Sequence, residues 1–525
     1  MNQVKSFLGI ELGSTRIKAV LTDERGATLA SGGHNWENRF ENGVWTYHME
    51  DVRHGIRQGF AQLVADYAAK HEGAFPDIGC MGVSAMMHGY LPLDGGGNQL
   101  AEFRTWRNTI TEESAARLSD AFGFNIPQRW SIAHLHRAII GGEAHVGEIA
   151  LLTTLAGYVH YRLTGQKVLG VGDASGVFPI DSATKDYDAK MAAQFDDMAR
   201  EFGFSQNILD ILPKVLQAGE FAGNLTEEGA ALLDPSGGLA AGIPLCPPEG
   251  DAGTGMVATN SISAGTGNVS AGTSVFAMLV LERGLSRLYP EIDVVTTPAG
   301  LPVAMVHCNN CSSDLDAWVG IFGRAMELGG ARPDTSELYR LLYEAALSGE
   351  DDAGGLTSVN YLSGEHITGF HKGRPLFVRT PESKFTLENY MRSLLFSAIA
   401  TLRIGMDILA SGEGVQLDKL LGHGGYFKTE KVGQKLMAGA LNIPVAVMES
   451  AGEGGAWGIA VLAAYAAAKA PGETLEEYLQ NKVFVDAAIS TIMPCPADVR
   501  GFNAYLRRYK ALLNVERAAV EIDLD

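Results

Sequence analysis

A glycine followed by two hydroxyl residues, set between two apolar strands, occurs twice in this chain, about 260 residues apart. Phe7–Leu12 and Ile17–Thr22 read as strands joined by Gly13-Ser14-Thr15-Arg16. Val269–Leu279 is strand-like and is interrupted by Gly272-Thr273-Ser274. A strand–turn–strand entry repeated at that distance indicates an internal duplication rather than a short-period array. The length of 525 residues exceeds what one ordinary core can serve, so two domains are expected. The glycine- and proline-rich segment 242–255 reads as the seam, which places the halves at 1–258 and 259–525.

Apolar residues make up 46% of the chain and charged residues 19%, enough to bury sizeable cores. A formal charge of −20 argues against nucleic-acid or anionic-membrane partners. Backbone N–H groups can still bind a phosphate locally. The five cysteines (Cys80, Cys246, Cys308, Cys311 and Cys495) are mostly dispersed, as in a reducing cytoplasm. Cys308 and Cys311 have C-x-x-C spacing but no second pair to complete a zinc site, and are expected to be buried thiols. The N-terminal segment meets Glu11 after too short an apolar run for a signal peptide. The uncharged run Ala456–Ala468 falls short of a membrane span, so a cytoplasmic globular protein is expected.

A third strand is expected near Thr28–Asn35, an amphipathic helix over Glu50–Ala69, and a strand at Ile78–Ser84. Ile149–Leu163 reads as one buried helix, followed by a turn cluster over Gly170–Gly176. In the second half, helices are expected at Asn389–Leu409, Lys431–Leu441 and Gly454–Lys469. Strands are expected at Lys419–Gly422 and Ile443–Met448. Strands mixed with helices in this order indicate an α/β layer in each half.

The turn Gly13-Ser14-Thr15 can aim several N–H and O–H donors at one phosphate. Glu11 just before it could hold a metal ion through water, and Lys18 could reach the same anion. An ordinary hairpin with polar turn residues is the alternative. The second turn, Gly272-Thr273-Ser274, favours a phosphate clamp built from both halves. Gly424-Gly425 and Gly452-Glu453-Gly454 would let backbone approach a nucleoside closely, although tight helix–strand packing explains glycine equally well at Gly458. Asp251, flanked by small residues at the seam, could accept the proton of an attacking hydroxyl; otherwise it forms a turn.

In order and spacing these motifs resemble the FGGY carbohydrate kinases of the sugar kinase–actin–heat-shock chaperone superfamily, and the resemblance covers nearly the whole chain. Gly9–Lys18 is similar to that family's first phosphate motif and Gly272-Thr273-Ser274 to its second. Gly250-Asp251 resembles its catalytic-base motif, and Met87-His88-Gly89 its xylulokinase-type sugar contact. Trp106-Arg107-Asn108 resembles the tryptophan segment that follows. Tyr361-Leu362-Ser363-Gly364-Glu365 is similar to the start of its C-terminal signature, and Gly424-Gly425 with Glu453–Gly458 to its adenosine motif.

The resemblance implies two ribonuclease H-like (actin-like ATPase) domains with a cleft between them. Sugar would be bound mainly by the first and ATP mainly by the second. It implies Asp251 as general base and a second metal contact, with Met87, His88, Trp106 and Arg107 contacting the sugar. Core packing for Met87 and Trp106, and a structural role for His88, are the alternatives. ATP and Mg²⁺ follow as cofactors, and a homodimer is compatible with the family. The chain departs from the family pattern at Glu11, where aspartate is usual, at Phe396-Ser397, where Glu-Gly is common, and at His423, where glycine is common.

The expected activity is ATP-dependent phosphorylation of a terminal hydroxyl on a ketopentose, L-ribulose or D-xylulose. Polyols, hexuloses and aldonates are alternative acceptors. A catalytically silenced sugar-binding regulator and a protein-binding ATPase of the same superfamily are the alternative functions.

Overall fold

The computed structural model describes residues 5–448 and 454–523. Its contacts group into two compact units. The first comprises 1–263, 280–303 and 450–487; the second comprises 264–279, 304–449 and 488–525.

The first unit is built on β1 (Ser6–Leu12), β2 (Arg16–Thr22), β3 (Thr28–Asn35), helix α1 (Met49–Lys70) and β4 (Ile78–Ala85). A short helix α2 (Val171–Ala174), the two-residue strand β5 (Glu249–Gly250), α3 (Asp251–Ala258) and α4 (Gly454–Ala468) complete the part that carries the site. The strand order is β5-β4-β1-β2-β3. β1, β2 and β3 pair antiparallel, whereas β4 runs parallel to β1 and β5 parallel to β4.

Every residue of β1 is buried, because the strand is central. α1 places Val52, Ile56, Phe60 and Leu63 inward at helical spacing, with Glu50 and Asp51 in its first turn complementing the helix dipole. α4 packs on β1 so closely that a Cβ on Gly9 would fall on the Ala456 carbonyl oxygen and lie 2.7 Å from the Ala460 nitrogen. A Cβ on Gly458 would likewise fall on the Thr254 carbonyl oxygen of α3. Glycine at Gly458 therefore serves packing, but of helix on helix rather than the helix–strand contact its alternative reading named.

The second unit repeats the scheme with β6 (Thr266–Ala271), β7 (Val275–Val280), β8 (Pro302–Cys308), β9 (Lys419–His423), β10 (Val445–Met448) and β11 (Ile489–Ile492). Their order is β8-β7-β6-β9-β10-β11. β6 pairs antiparallel with β7 and parallel with β9, as β1 pairs with β2 and β4. The duplication read from the turns thus extends to the sheets.

The apolar helix Leu387–Glu413 is long enough to cross a membrane by composition, but 72% of its most apolar window is buried in the protein. Phe396 lies in this helix, edge-on to Phe502 at 5.0 Å, and is a core residue of the second unit.

Two local readings differ from the structure. Ile149–Leu163 is not one helix: Leu151–Thr153 is a strand and the helix runs Leu155–Thr164. Thr154 caps it by accepting from the Gly157 N–H. Both pieces are buried, so their apolar residues carry no period that would separate strand from helix. The cluster 170–176 holds the end of a strand and α2, with turn residues only at Ser175 and Gly176.

Candidate active site

The antiparallel register of β1 and β2 sets Glu11 directly opposite Lys18, with Lys18 Nζ 3.8 Å from Glu11 Oε2. The same oxygen accepts the Ala456 N–H at 3.3 Å, in the first turn of α4. A Cβ on Gly455 would fall on Glu11 Oε1, so glycine there makes room for a side chain one methylene longer than aspartate. Burial pushes the Glu11 carboxyl above its ordinary range; Lys18 pulls it down and the Asp251 charge pushes it up again. Gly454 has φ +63°, and a Cβ there would lie 3.6 Å from Lys18 Nζ. Glu453, predicted as its partner, lies outside the described residues.

The turn after β1 has its carbonyls occupied. Trp36 Nε1 donates to Gly13 O at 2.7 Å, the Tyr47 hydroxyl to Ser14 O at 2.6 Å, and the Trp36 N–H to Thr15 O at 3.1 Å. Trp36 and Tyr47 are stacked, ring centroids 4.1 Å apart. Carbonyls turned toward these donors leave the following N–H groups pointing the other way. Trp106, exposed on one face, donates its indole N–H to Ser14 Oγ at 3.3 Å. Arg107 lays its guanidinium 4.0 Å over the Trp45 ring.

Asp251 is the first residue of α3. Its Oδ1 accepts the Met87 N–H at 3.1 Å and the Ala252 N–H at 3.0 Å. Burial raises its carboxyl above the usual aspartate range, while these N–H donors pull it down. The base candidate and the Met87-His88 segment are therefore joined by a direct hydrogen bond. His88 has φ +68°, a backbone state that few non-glycine residues adopt. Its Nδ1 is 3.2 Å from the Gly176 carbonyl oxygen, which can only accept, so Nδ1 carries the proton and Nε2 is an acceptor. Burial, helped by Arg129, lowers its pKa to about 3 and keeps the ring neutral.

Two carboxyls beneath Asp251 were not singled out from the sequence. Glu249 and Asp173 are 1% and 0% exposed. Glu249 accepts the N–H groups of Gly172 at 3.3 Å and Asp173 at 2.9 Å, and a Cβ on Gly170 or Gly172 would fall on its carboxylate. Asp173 accepts from the Thr154 hydroxyl at 2.6 Å, while its Oδ1 has no partner among the described atoms. Burial raises both carboxyls, and the Asp173 charge adds to the rise of Glu249. The dense glycines at 170–176 were the available signal; they make room for a carboxylate rather than for turns.

In the second unit, the N–H of Cys311 donates to Thr273 O and that of Ser312 to Gly272 O, both at 3.0 Å. Gly424 has φ +97°, and a Cβ there would lie 2.5 Å from the Ala271 carbonyl oxygen, beside the start of the turn. Gly425 opens the short 3₁₀ turn Gly425–Phe427. His423 pairs in register with Ser270, and burial lowers its pKa. Each unit thus carries one glycine–hydroxyl turn at the end of a central strand.

Models of two domains match the chain: the N-terminal domain of the FGGY family of carbohydrate kinases over residues 6–130, and its C-terminal domain over 267–467. The chain belongs to the FGGY family of carbohydrate kinases. It is an ATP-dependent sugar kinase made of two ribonuclease H-like domains.

The xylulose kinase of Haemophilus influenzae is 23% identical over 389 residues, 72% of this chain and 74% of that protein. The xylulose kinase of Klebsiella pneumoniae is 24% identical over 378 residues, 68% of this chain and 69% of that protein. Among solved structures, the xylulose kinase of Rhodospirillum rubrum superposes with a TM-score of 0.78 at 20% identity, covering 99% of this chain and 100% of that one. A gluconate kinase of Lactobacillus acidophilus gives a TM-score of 0.77 at 17% identity, covering 98% of this chain and 99% of that one. The shared fold therefore carries acceptors of different chemistry.

Proposed function

We propose that this family member phosphorylates a terminal hydroxyl of a ketopentose, D-xylulose or L-ribulose, with Asp251 as general base. The observation that carries the reading is the hydrogen bond from the Met87 N–H to Asp251 Oδ1, which ties the base to the segment that resembles the xylulokinase sugar contact. Both N–H donors converge on Oδ1, so Oδ2 is the oxygen that takes the sugar proton. A carboxyl raised by burial is a stronger proton acceptor than a solvated one. The sugar oxygen bonds to the γ-phosphorus as the bond from phosphorus to the β–γ bridging oxygen breaks, and ADP leaves. Neutral His88 offers Nε2 as an acceptor to a sugar hydroxyl. Trp106 forms the pocket wall with Met87, and Arg107 borders it.

The Gly13–Thr15 and Gly272–Ser274 turns bind phosphate oxygens through N–H and O–H donors, Lys18 adds a positive charge, and Gly424, Gly425 and Gly454 give backbone access to the nucleotide. Mg²⁺ fits the donor set. Glu11 and Asp251 are two hard oxygen ligands, and the Asp251 charge raises the Glu11 carboxyl, a repulsion that a cation relieves. Among the described residues no cluster of three metal-binding side chains occurs. Water and phosphate oxygens would complete the ion's shell, as Mg²⁺ prefers; bound there, it neutralises charge on the transferring phosphate. The reading places the enzyme in the cytoplasm and allows a homodimer.

A coupled ADP-release screen over D-xylulose, L-ribulose, hexuloses, polyols and gluconate tests the assignment. Turnover with a ketopentose at least tenfold above the others supports it; a preference for gluconate or a polyol overturns it.

A further inference from the structure

Tyr361–Glu365, the start of the C-terminal signature, lies behind the second turn. Glu365 is fully buried. Its Oε2 accepts the N–H of Asn309 at 2.9 Å, the N–H of Asn310 at 3.3 Å and the Asn310 side-chain amide at 3.2 Å. Asn310 returns the contact: its Oδ1 accepts the N–H groups of Leu362 at 2.9 Å and Ser363 at 3.0 Å. The next two residues, Cys311 and Ser312, are those whose N–H groups occupy the carbonyls of Thr273 and Gly272. Asn360 holds the Cys311 carbonyl at 2.9 Å, so segment 309–312 is fixed from both sides.

In a trans peptide the carbonyl and the following N–H point in opposite directions. With the carbonyls of Gly272 and Thr273 directed at segment 309–312, the N–H groups of Thr273 and Ser274 are directed away from it. A buried carboxylate that accepts three N–H bonds and then loses them would leave those donors unsatisfied, and the segment would relax. We infer that Glu365 is a positioning residue for the Gly272–Ser274 turn: by locking segment 309–312 it sets the direction in which the turn offers its N–H groups to the nucleotide phosphates. This rests on reading that turn as a phosphate site.

The test uses the full-length enzyme and its Glu365→Gln and Glu365→Ala variants with MgATP and D-xylulose. Burial raises the Glu365 carboxyl to about 7, so measurement at pH 8 keeps it ionised. Glu365→Ala is expected to raise the KM for ATP and the Kd for MgATP roughly tenfold or more, with the sugar KM within about twofold. Glu365→Gln keeps one acceptor oxygen and should fall between the two; it carries the same readouts if the alanine variant does not fold. Amide hydrogen exchange without ligand should accelerate at 272–274 and 309–312 in both variants and not in the first unit. Unchanged exchange there, or unchanged ATP affinity beside accelerated exchange, overturns the inference. A wild-type enzyme that binds no ATP overturns the phosphate reading of the turn, while the exchange data still decide whether Glu365 holds it.

Discussion

Around Gly13–Thr15 the turn carbonyls are taken by aromatic side chains and the Trp36 N–H; around Gly272–Ser274 they are taken by successive backbone N–H groups. Both arrangements turn carbonyls aside, which on the proposed reading leaves the opposite N–H groups for phosphate. They differ in what sustains them. The first turn depends on Trp36 and Tyr47, two stacked rings that can be changed one at a time. The second depends on a loop held by a buried network in which Glu365 accepts three of the bonds, with Asn310 and Asn360 completing it. Duplication preserved the hairpin and its strand order, while each copy found its own means of holding the turn.

The largest expected effect comes from removing the proposed base of the first unit. Asp251→Asn should lower kcat by about 10²–10⁴-fold while ATP affinity stays within a few-fold, measured by coupled ADP release and by nucleotide titration. Equal loss of ATP binding would mean that the residue holds the first unit together rather than accepting a proton.

Next come the buried carboxyls of the first unit. Beside the first turn the fold gathers Glu11, Asp173, Glu249 and Asp251. Burial raises Asp173 from its ordinary 3.8 to about 7. A carboxyl raised on folding contributes stability below its unfolded pKa, and that contribution is lost as pH rises through the folded value. Asp173→Asn should therefore melt increasingly above wild type as pH climbs from about 4 to about 7, by up to a few kcal/mol, with the gap level beyond that. Thermal melts across this range with a constant gap would refute a protonated Asp173.

Smaller effects separate the two supports directly. Trp36→Phe and Tyr47→Phe each delete one donor to one carbonyl and should weaken ATP binding by about 0.5 kcal/mol each, roughly twofold, well short of the tenfold change expected from Glu365→Ala. Nucleotide titration of the four proteins gives the ranking; equal losses would erase the contrast. The smallest effect concerns the glycines. A Cβ on Gly13 would sit 3.1 Å from the Arg16 carbonyl oxygen, whereas a Cβ on Gly272 meets no atom of its own unit within 4 Å. Gly13→Ala should lower Tm by a few degrees, roughly 1 kcal/mol, and Gly272→Ala should leave it within about 0.5 kcal/mol.

Much of this site was legible in the sequence where neighbouring residues carry the signal. The β1–β2 hairpin follows from two apolar runs around a glycine–hydroxyl turn, and α1 from its helical spacing of Val52, Ile56, Phe60 and Leu63. The link from Met87 to Asp251 spans 164 positions and that from Asn310 to Glu365 spans 55, so no local pattern announces either. The placement of α4 on β1 was hidden for a related reason. Its glycines look like ligand-approach residues, but Gly455 and Gly458 make room for Glu11 and Thr254. The aspartate-to-glutamate departure at Glu11 gains an explanation from that same contact.

The apolar helix Leu387–Glu413 has a consequence for how the protein is made. Its ring Phe396 and its cation Arg392 are matched by Phe502 and Asp498, both on the C-terminal helix Pro496–Glu521. At roughly 5–20 residues per second, translation leaves the first helix without that cover for several seconds. During that interval the face around Phe396 and Arg392 lacks the cover that helix Pro496–Glu521 later supplies. Chains that terminate before Pro496 are therefore expected to be captured by chaperones or to aggregate, even though every residue of both glycine–hydroxyl turns has already been synthesised.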